Sequence, residues 1–352
     1  KLRWTNMVKI ALGQGKMVRR PIAGILHIVV YVGFVIINIE VLEIVIDGLF
    51  GTHRIFSVIG SFYGVLIGTF EVLAALVFVS VVIFWFRRNI VNIQRFMKSE
   101  MNGWPKLDGN LILYFELVLM GLFIIMNATD VEFQSLNSGN IISQFFAPLF
   151  EGFNVTLIER IAWWMHIVGI IIFLNYLYYS KHLHILLAFP NTYYGSVIPK
   201  GQLDNLEAVT NEVKLMMDPD ADPYAAVDED AAAPDKFGAS DVQDLNWIQL
   251  LNAYTCTECG RCTSECPANQ TGKKLSPRKI MMDTRDRLVE VGNNIDANNG
   301  EFKLDGKQLL GDYITNEELW ACTSCNACVE ACPISIDPLS IILEMRRYLV
   351  ME

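Results

Sequence analysis

Residues 256–267 read CTECGRCTSECP, and residues 322–333 repeat the pattern as CTSCNACVEACP. Each follows C-x2-C-x2-C-x3-C-P, and together they use all eight cysteines of the chain. Three thiolates spaced three residues apart can wrap three irons of one cubane, while the fourth, set off by its proline, turns away to a neighbouring cluster. The spacing predicts two [4Fe–4S] clusters, one on Cys256, Cys259, Cys262 and Cys332, the other on Cys322, Cys325, Cys328 and Cys266. Zinc sites normally use two-plus-two spacing, and a cytoplasmic location disfavours disulfides.

Between Cys266 and Cys322 lie 55 residues, among them the helix-like LSPRKIMMDTRDRLVEVG (275–292) and TNEELWACTSC (315–325). That insert is too long for a minimal β-rich ferredoxin. Residues 245–350 resemble the α-helical ferredoxin domain found in iron–sulfur subunits of succinate dehydrogenase and heterodisulfide reductase.

Upstream, DPDADPYAAVDEDAAAPDKFGASD (218–241) is rich in Asp, Ala and Pro and poor in periodic apolar residues, which is the composition of a flexible acidic linker. Its plainest role is a solvated spacer; docking a basic partner is the alternative. The formal charge of −10 comes largely from acids between 202 and 244, so it reports a local segment and not a nucleic-acid surface.

The first 200 residues have another character. With 52% apolar and 19% charged residues overall and a mean hydropathy of +0.32, the chain calls for a membrane part. Apolar runs near 22–46, 61–86, 110–128 and 157–180 each approach the length needed to cross a bilayer, about 20 residues. They predict four transmembrane helices, and a chain opening on Lys1 without a signal-peptide pattern leaves room for a fifth upstream. Pro21 suits the first turn of the first helix, and Asp47-Gly48 a stop.

Positive residues orient these spans. Lys1, Arg3, Lys9, Lys16, Arg19 and Arg20 precede the first run, and Arg87, Arg88, Arg95, Lys98 and Lys106 follow the second; segment 47–60 holds only Arg54, and 129–156 holds neither Lys nor Arg. Both ends of the chain are therefore expected in the cytoplasm. ISQFFAPLF (142–150) reads as a surface-lying amphipathic piece or a plain loop.

Five histidines are present. His166 and His184 are 18 residues apart, five whole turns on one continuous helix, with Gly169 near their stripe as a place for a flat macrocycle or for ordinary helix packing. His27, six residues after Pro21, falls at the cytoplasmic level opposite His184, and two imidazoles at equal depth can sandwich a haem iron. An interfacial role is the plain alternative for both. His182 is about 200° from His184 and faces elsewhere; His53 reads as a loop residue. Glu40, Glu43, Glu71 and Glu116 are embedded carboxylates, and Glu40 and Glu71 are candidates for proton transfer. Arg87, Arg88 and Lys181 fit haem propionates as well as the positive-inside bias.

RPIAGILHIVVYVGF (20–34) and WWMHIVGIIIFLNYLYYSKHLHI (163–185) resemble the ligand helices of the cytochrome b subunit of respiratory nitrate reductase and its relative in membrane heterodisulfide reductase. The resemblance implies haem b on His27 and His184. His166 matches a ligand of a second, outer haem, but the other ligand expected ten residues after His27 is Ile37, which puts that haem in doubt. The whole chain resembles the membrane-anchored half of heterodisulfide-reductase-like oxidoreductases, including those proposed to connect electron-transfer flavoprotein to menaquinone.

The expected architecture is thus all-α: a cytochrome b-like bundle (1–200), an acidic linker (201–245) and a cytoplasmic ferredoxin domain (246–352) in a bacterial inner membrane. The resemblance implies an electron path between a soluble partner and quinone. That partner is a CCG-domain iron–sulfur subunit or an electron-transfer-flavoprotein-like donor, because the cluster motifs already use every cysteine. GQGKM (13–17) is no dinucleotide fingerprint. Two rival readings are a membrane iron–sulfur protein that reduces metal for oxidase assembly, and an anchor without quinone chemistry.

Overall fold

The computed structural model describes residues 1–135, 138–199, 201–219 and 236–352. Its main helices are α1 (Leu2–Met7), α2 (Pro21–Phe50), α3 (Ser61–Asn89), α4 (Trp104–Thr129), α5 (Val155–Leu177), α6 (His184–Tyr194), α7 (Glu207–Met217), α8 (Trp247–Thr255), α9 (Pro277–Ala297), α10 (Asn316–Trp320), α11 (Ala327–Ala331) and α12 (Pro338–Met351). Among the described residues there is no strand, as the all-α reading requires. The described residues form two compact units, one of 14–183 and the other of 1–13 with 184–352.

In the first unit, α2 to α5 are long and apolar enough to cross a membrane. Local chemistry sets their ends. Pro21 opens α2, and Gly51, at φ +67°, closes it by donating its N–H to Asp47 O. Asn154 caps α5 by accepting from Leu157 N. Successive helices pack on one another around Ile67, Phe70, Ala74 and Phe123, all fully buried. The approach of α2 to α3 is tight: a Cβ on Gly33 would lie 2.4 Å from Val77 Cγ2. Leu42, Val65, Val79 and Ile171 are more than half exposed on the outer faces, the apolar surface that lipid covers.

One expectation fails here. His166 and His184 do not share a continuous helix, because α5 ends at Leu177 and a tight turn, Lys181–Leu183, precedes α6. Asp108 of α4 stabilises the break. Its Oδ1 accepts from Tyr176 OH at 2.5 Å and Ser180 Oγ at 2.7 Å, and its Oδ2 accepts from Lys181 N at 3.1 Å.

The second unit is built on short helices. The edge of Trp4 on α1 meets Tyr193 on α6 at 5.1 Å between ring centroids, and Arg3 donates to Tyr193 O at 3.2 Å. Asn191 of α6 donates to Ile334 O at 2.9 Å. Reciprocal side-chain caps start α8 (Asn246 with Gln249) and α10 (Thr315 with Glu318). The core holds Leu275, Ile280, Met281, Ile314, Ile341, Ile342 and Met345. Most of the acidic run, 220–235, lies outside the described residues. Its end does not: Ala239, Val242 and Leu245 are buried in this core, and Asp241 is bound by the fully buried Arg287, which also holds Asp305.

Candidate metal centres

The two cysteine motifs fold alike. In the first, Glu258 (φ +55°) and Gly260 (φ +70°) flank Cys259 in left-handed backbone; in the second, Ser324 (φ +55°) and Asn326 (φ +59°) flank Cys325. Two of these four residues, Glu258 and Ser324, carry side chains that disfavour this conformation, so the loops are held in shape by what surrounds them. The bend aims backbone donors at sulfur: Ser324 N–H meets Cys322 Sγ at 3.4 Å, and Glu258 N–H bonds Cys256. The last cysteine of each motif, Cys266 or Cys332, precedes proline and is extended (ψ 119° and 125°).

This geometry gathers the thiols into two cavities. One is lined by Cys256, Cys259, Cys262 and Cys332 together with Arg278 and Met281. The other is lined by Cys266, Cys322 and Cys325 with Pro267, Leu275 and Ile342. Cys328 lines both, so the cavities share a wall. In each, the fourth thiol comes from the opposite motif.

The donor set fits a cluster. Burial, then neighbouring thiols, pushes Cys256 up to about 12 and Cys262 well above its ordinary value, so a cationic core is needed to draw these protons off. Among the described residues no three His, Cys, Asp or Glu side chains converge on a single point for one metal ion. The thiols instead surround a space, as ligands of a polynuclear centre do.

Charged groups that the motifs alone did not reveal surround the cavities. Glu258, 2% exposed, is paired with Arg285 of α9 at 2.9 Å. Arg346 of α12 binds the second loop through Leu319 O (2.6 Å) and Cys322 O (2.5 Å), with its guanidinium 5.0 Å from the Trp320 ring. The available signal was a helical sequence, PRKIMMDTRDRLVEV, whose arginines fall in phase with Ile280, Met281 and Val291, all in the core.

The other candidate residues lie as follows. His27 is on α2; His166, on α5, is 1% exposed, with Phe123 at 6.1 Å. The space at Gly169 is filled by Leu119, whose Cδ2 lies 2.9 Å from where a Cβ would be. His184 opens α6, and His182 packs on Phe173 at 5.4 Å. Lys181 and Arg88 both donate to Pro105 O.

A buried polar network closes the other end of the bundle. Arg54 donates to Asp130 Oδ2 (2.8 Å) and Asn127 Oδ1 (2.9 Å). His53 lies in the connecting loop, 3.3 Å from Asp130, which raises its basicity; burial opposes the charge of Asp130, but His53 and Arg54 prevail and hold it below the usual carboxylate range. Glu43 accepts from Phe56 N and Tyr63 OH. Glu71 accepts from Ile142 N, Ser143 N and Asn127 Nδ2 at 2.7, 3.1 and 3.1 Å. Glu40, 2% exposed, keeps Oε2 without a hydrogen bond, and Glu116 is also buried.

Residues 255–336 match the family described as the 4Fe-4S dicluster domain. Over 99% of its length the chain is similar to a "Probable iron-sulfur-binding oxidoreductase FadF" of Bacillus subtilis, at 28% identity and covering 49% of that protein. It is similar at 26% identity, with the same shares covered, to an "EtfAB:quinone oxidoreductase" of Syntrophomonas wolfei. Over 29% of the chain it is 35% identical to one component of a CoB-CoM heterodisulfide reductase of Methanosarcina acetivorans, covering 49% of that component. The chain spans about half the length of the full-length relatives it matches. No solved structure matches. The heterodisulfide-reductase-like resemblance is borne out, and both cysteine motifs lie within the residues that match the 4Fe-4S dicluster domain.

Proposed function

We propose that this chain is a membrane electron-transfer subunit of an oxidoreductase, passing electrons between a cytoplasmic redox partner and the quinone pool. The observation that carries the reading is the pair of thiol-lined cavities with a common wall at Cys328. Two clusters so close exchange electrons one at a time without a diffusing intermediate. Cys256, Cys259, Cys262 and Cys332 would hold the first, and Cys322, Cys325, Cys328 and Cys266 the second. When bound, the clusters supply the one-electron chemistry; the protein supplies enclosure, N–H donors to sulfur and counter-charge.

Cys325 is the one exposed cysteine of the eight, which favours the second cluster as the point of exchange with the partner. All cysteines are taken up by the two motifs, so the substrate-facing site lies outside these residues, on a CCG-type iron–sulfur module or an electron-transfer-flavoprotein-like donor. On the membrane side the reading includes haem b, with ligands the sequence places among His27, His166 and His184. His166 suits such a role, being a fully enclosed imidazole in the bundle. Of the two candidate proton-transfer residues, Glu40 is favoured: both oxygens of Glu71 are held by donors, whereas Glu40 Oε2 has none. The orientation, with the ferredoxin unit in the cytoplasm of a bacterial inner membrane, rests on the distribution of Lys and Arg.

The test is a pyridine haemochrome and iron determination on detergent-purified protein, with dithionite-reduced protein then mixed with a soluble menaquinone analogue. About eight non-haem irons, one b haem lost in His184→Ala, and rapid cluster reoxidation by the quinone are expected. Intact clusters without haem, unreactive toward quinone, would overturn the reading.

A further inference from the structure

The two cavities differ in what connects them to the rest of the chain. α6 follows directly on residue 183, the last of the unit that holds the four long helices, and it belongs to the unit that holds the thiols. One face of α6 is committed there: Asn191 and Thr192 are 1% and 2% exposed, and Ala188 lies in the core with Cys256 and Cys332. Asn191 Nδ2 donates to Ile334 O at 2.9 Å, and Ile334 lines the first cavity, two residues after its thiol Cys332. α6 also packs along α8, where Tyr194 meets Trp247 edge-on at 4.7 Å between ring centroids, and α8 runs into Cys256, another thiol of the same cavity. Among the described residues, neither Ile334 nor Cys256 lines the second cavity, whose wall comes from 266–277, 322–328 and the first turns of α12.

Electron transfer through protein weakens steeply with each gap crossed through space and much less along covalent and hydrogen bonds. From α6, the run from the Asn191 amide to the Ile334 carbonyl and then through Pro333 to Cys332 crosses no such gap. The amide can meet that carbonyl only through its NH₂, so its orientation is fixed. Resting on the electron-transfer reading above, we propose that Asn191 and Ile334 form the electron path between the membrane part of the chain and the first thiol set. Cys256, Cys259, Cys262 and Cys332 are then the membrane-side ligands, and Cys266, Cys322, Cys325 and Cys328 the partner-side ones. Asn191 is a positioning residue: it holds α6 against the ligand loop and binds no iron. Each passage moves one electron, with no bond made or broken and no proton moved; two passages, with two protons from water, turn a quinone into a quinol.

The experiment follows reoxidation of the dithionite-reduced chain in detergent by two oxidants, a soluble menaquinone analogue and ferricyanide, with the cluster signals read by rapid-freeze EPR. Ferricyanide, a water-soluble anion, takes electrons at the side of the exposed Cys325. Asn191→Leu is expected to keep wild-type iron, sulfide and midpoints, to slow reoxidation by the quinone about tenfold and to leave reoxidation by ferricyanide unchanged. Asn191→Gln, which keeps a donor, should recover most of the quinone rate. If Asn191→Leu loses a cluster, the ligand variants decide: Cys259→Ser should alter the quinone rate and Cys325→Ser the ferricyanide rate. A wild-type quinone rate in Asn191→Leu with both clusters retained, equal slowing with both oxidants, or a quinone rate that responds to Cys325→Ser and not to Cys259→Ser would overturn the proposal. A wild-type chain whose reduced clusters do not react with the quinone would instead overturn the functional reading itself.

Discussion

Among single residues, the acids of the bundle separate into those that hold structure and those left uncommitted. Glu71 accepts three hydrogen bonds, two from the backbone of 142–143. In Glu71→Gln an amide NH₂ must face at least one of these donors, leaving a buried group unpaired at a cost of about 1–3 kcal/mol. Glu40→Gln removes no hydrogen bond at Oε2 and should shift stability by less than about 0.5 kcal/mol. Thermal unfolding in detergent measures both; equal losses would show that Glu40 is as structurally committed as Glu71. Residue types were plain in the sequence, and so was the unusual depth of these carboxylates. Their division was not, because the donors to Glu71 come from a loop 71 residues away.

For the elements, the four long helices were legible from hydropathy alone, and the start of the first from Pro21. The end of the last was not. α5 stops at Leu177 because Asp108, on a different helix, gathers Tyr176, Ser180 and Lys181, and no local breaker in LNYLYYSKHLH announces this. The left-handed Glu258 and Ser324 were equally hidden, since neither is a customary residue there. Helix proximity gives a sharper test. Gly33→Leu places a side chain where Val77 already sits, pushing α2 from α3 at about 1–3 kcal/mol. Val77→Ala in the same chain should return part of that loss, and a double-mutant cycle reads the coupling. Strict additivity would mean that the two helices do not meet at this point.

For the whole molecule, the two compact units predict two separable responses to heat. The cluster cysteines belong to the core of the second unit: Cys256, Cys266 and Cys332 are buried with Ile334 and Ile336. Removing iron with an oxidant and a chelator should therefore abolish or sharply lower the unfolding transition of that unit and leave the membrane helices' transition in place. Calorimetry with circular dichroism checks this, and an unchanged pair of transitions would show that the cysteine loops hold their shape without iron. The cluster motifs were the most legible feature of the chain because three ligands of each set are local in sequence. The arginines that accompany them were obscured by ordinary helical periodicity.

The exchange of Cys266 and Cys332 between the two cavities also bears on the life of the chain before it is finished. The first cavity lacks its fourth thiol until residue 332 has left the ribosome, some 70 residues after its first three cysteines are made, and the second is completed only at residue 328. A nascent chain therefore offers iron only an incomplete site. Maturation becomes all-or-none, and a prematurely terminated chain would reach the membrane without a competent centre.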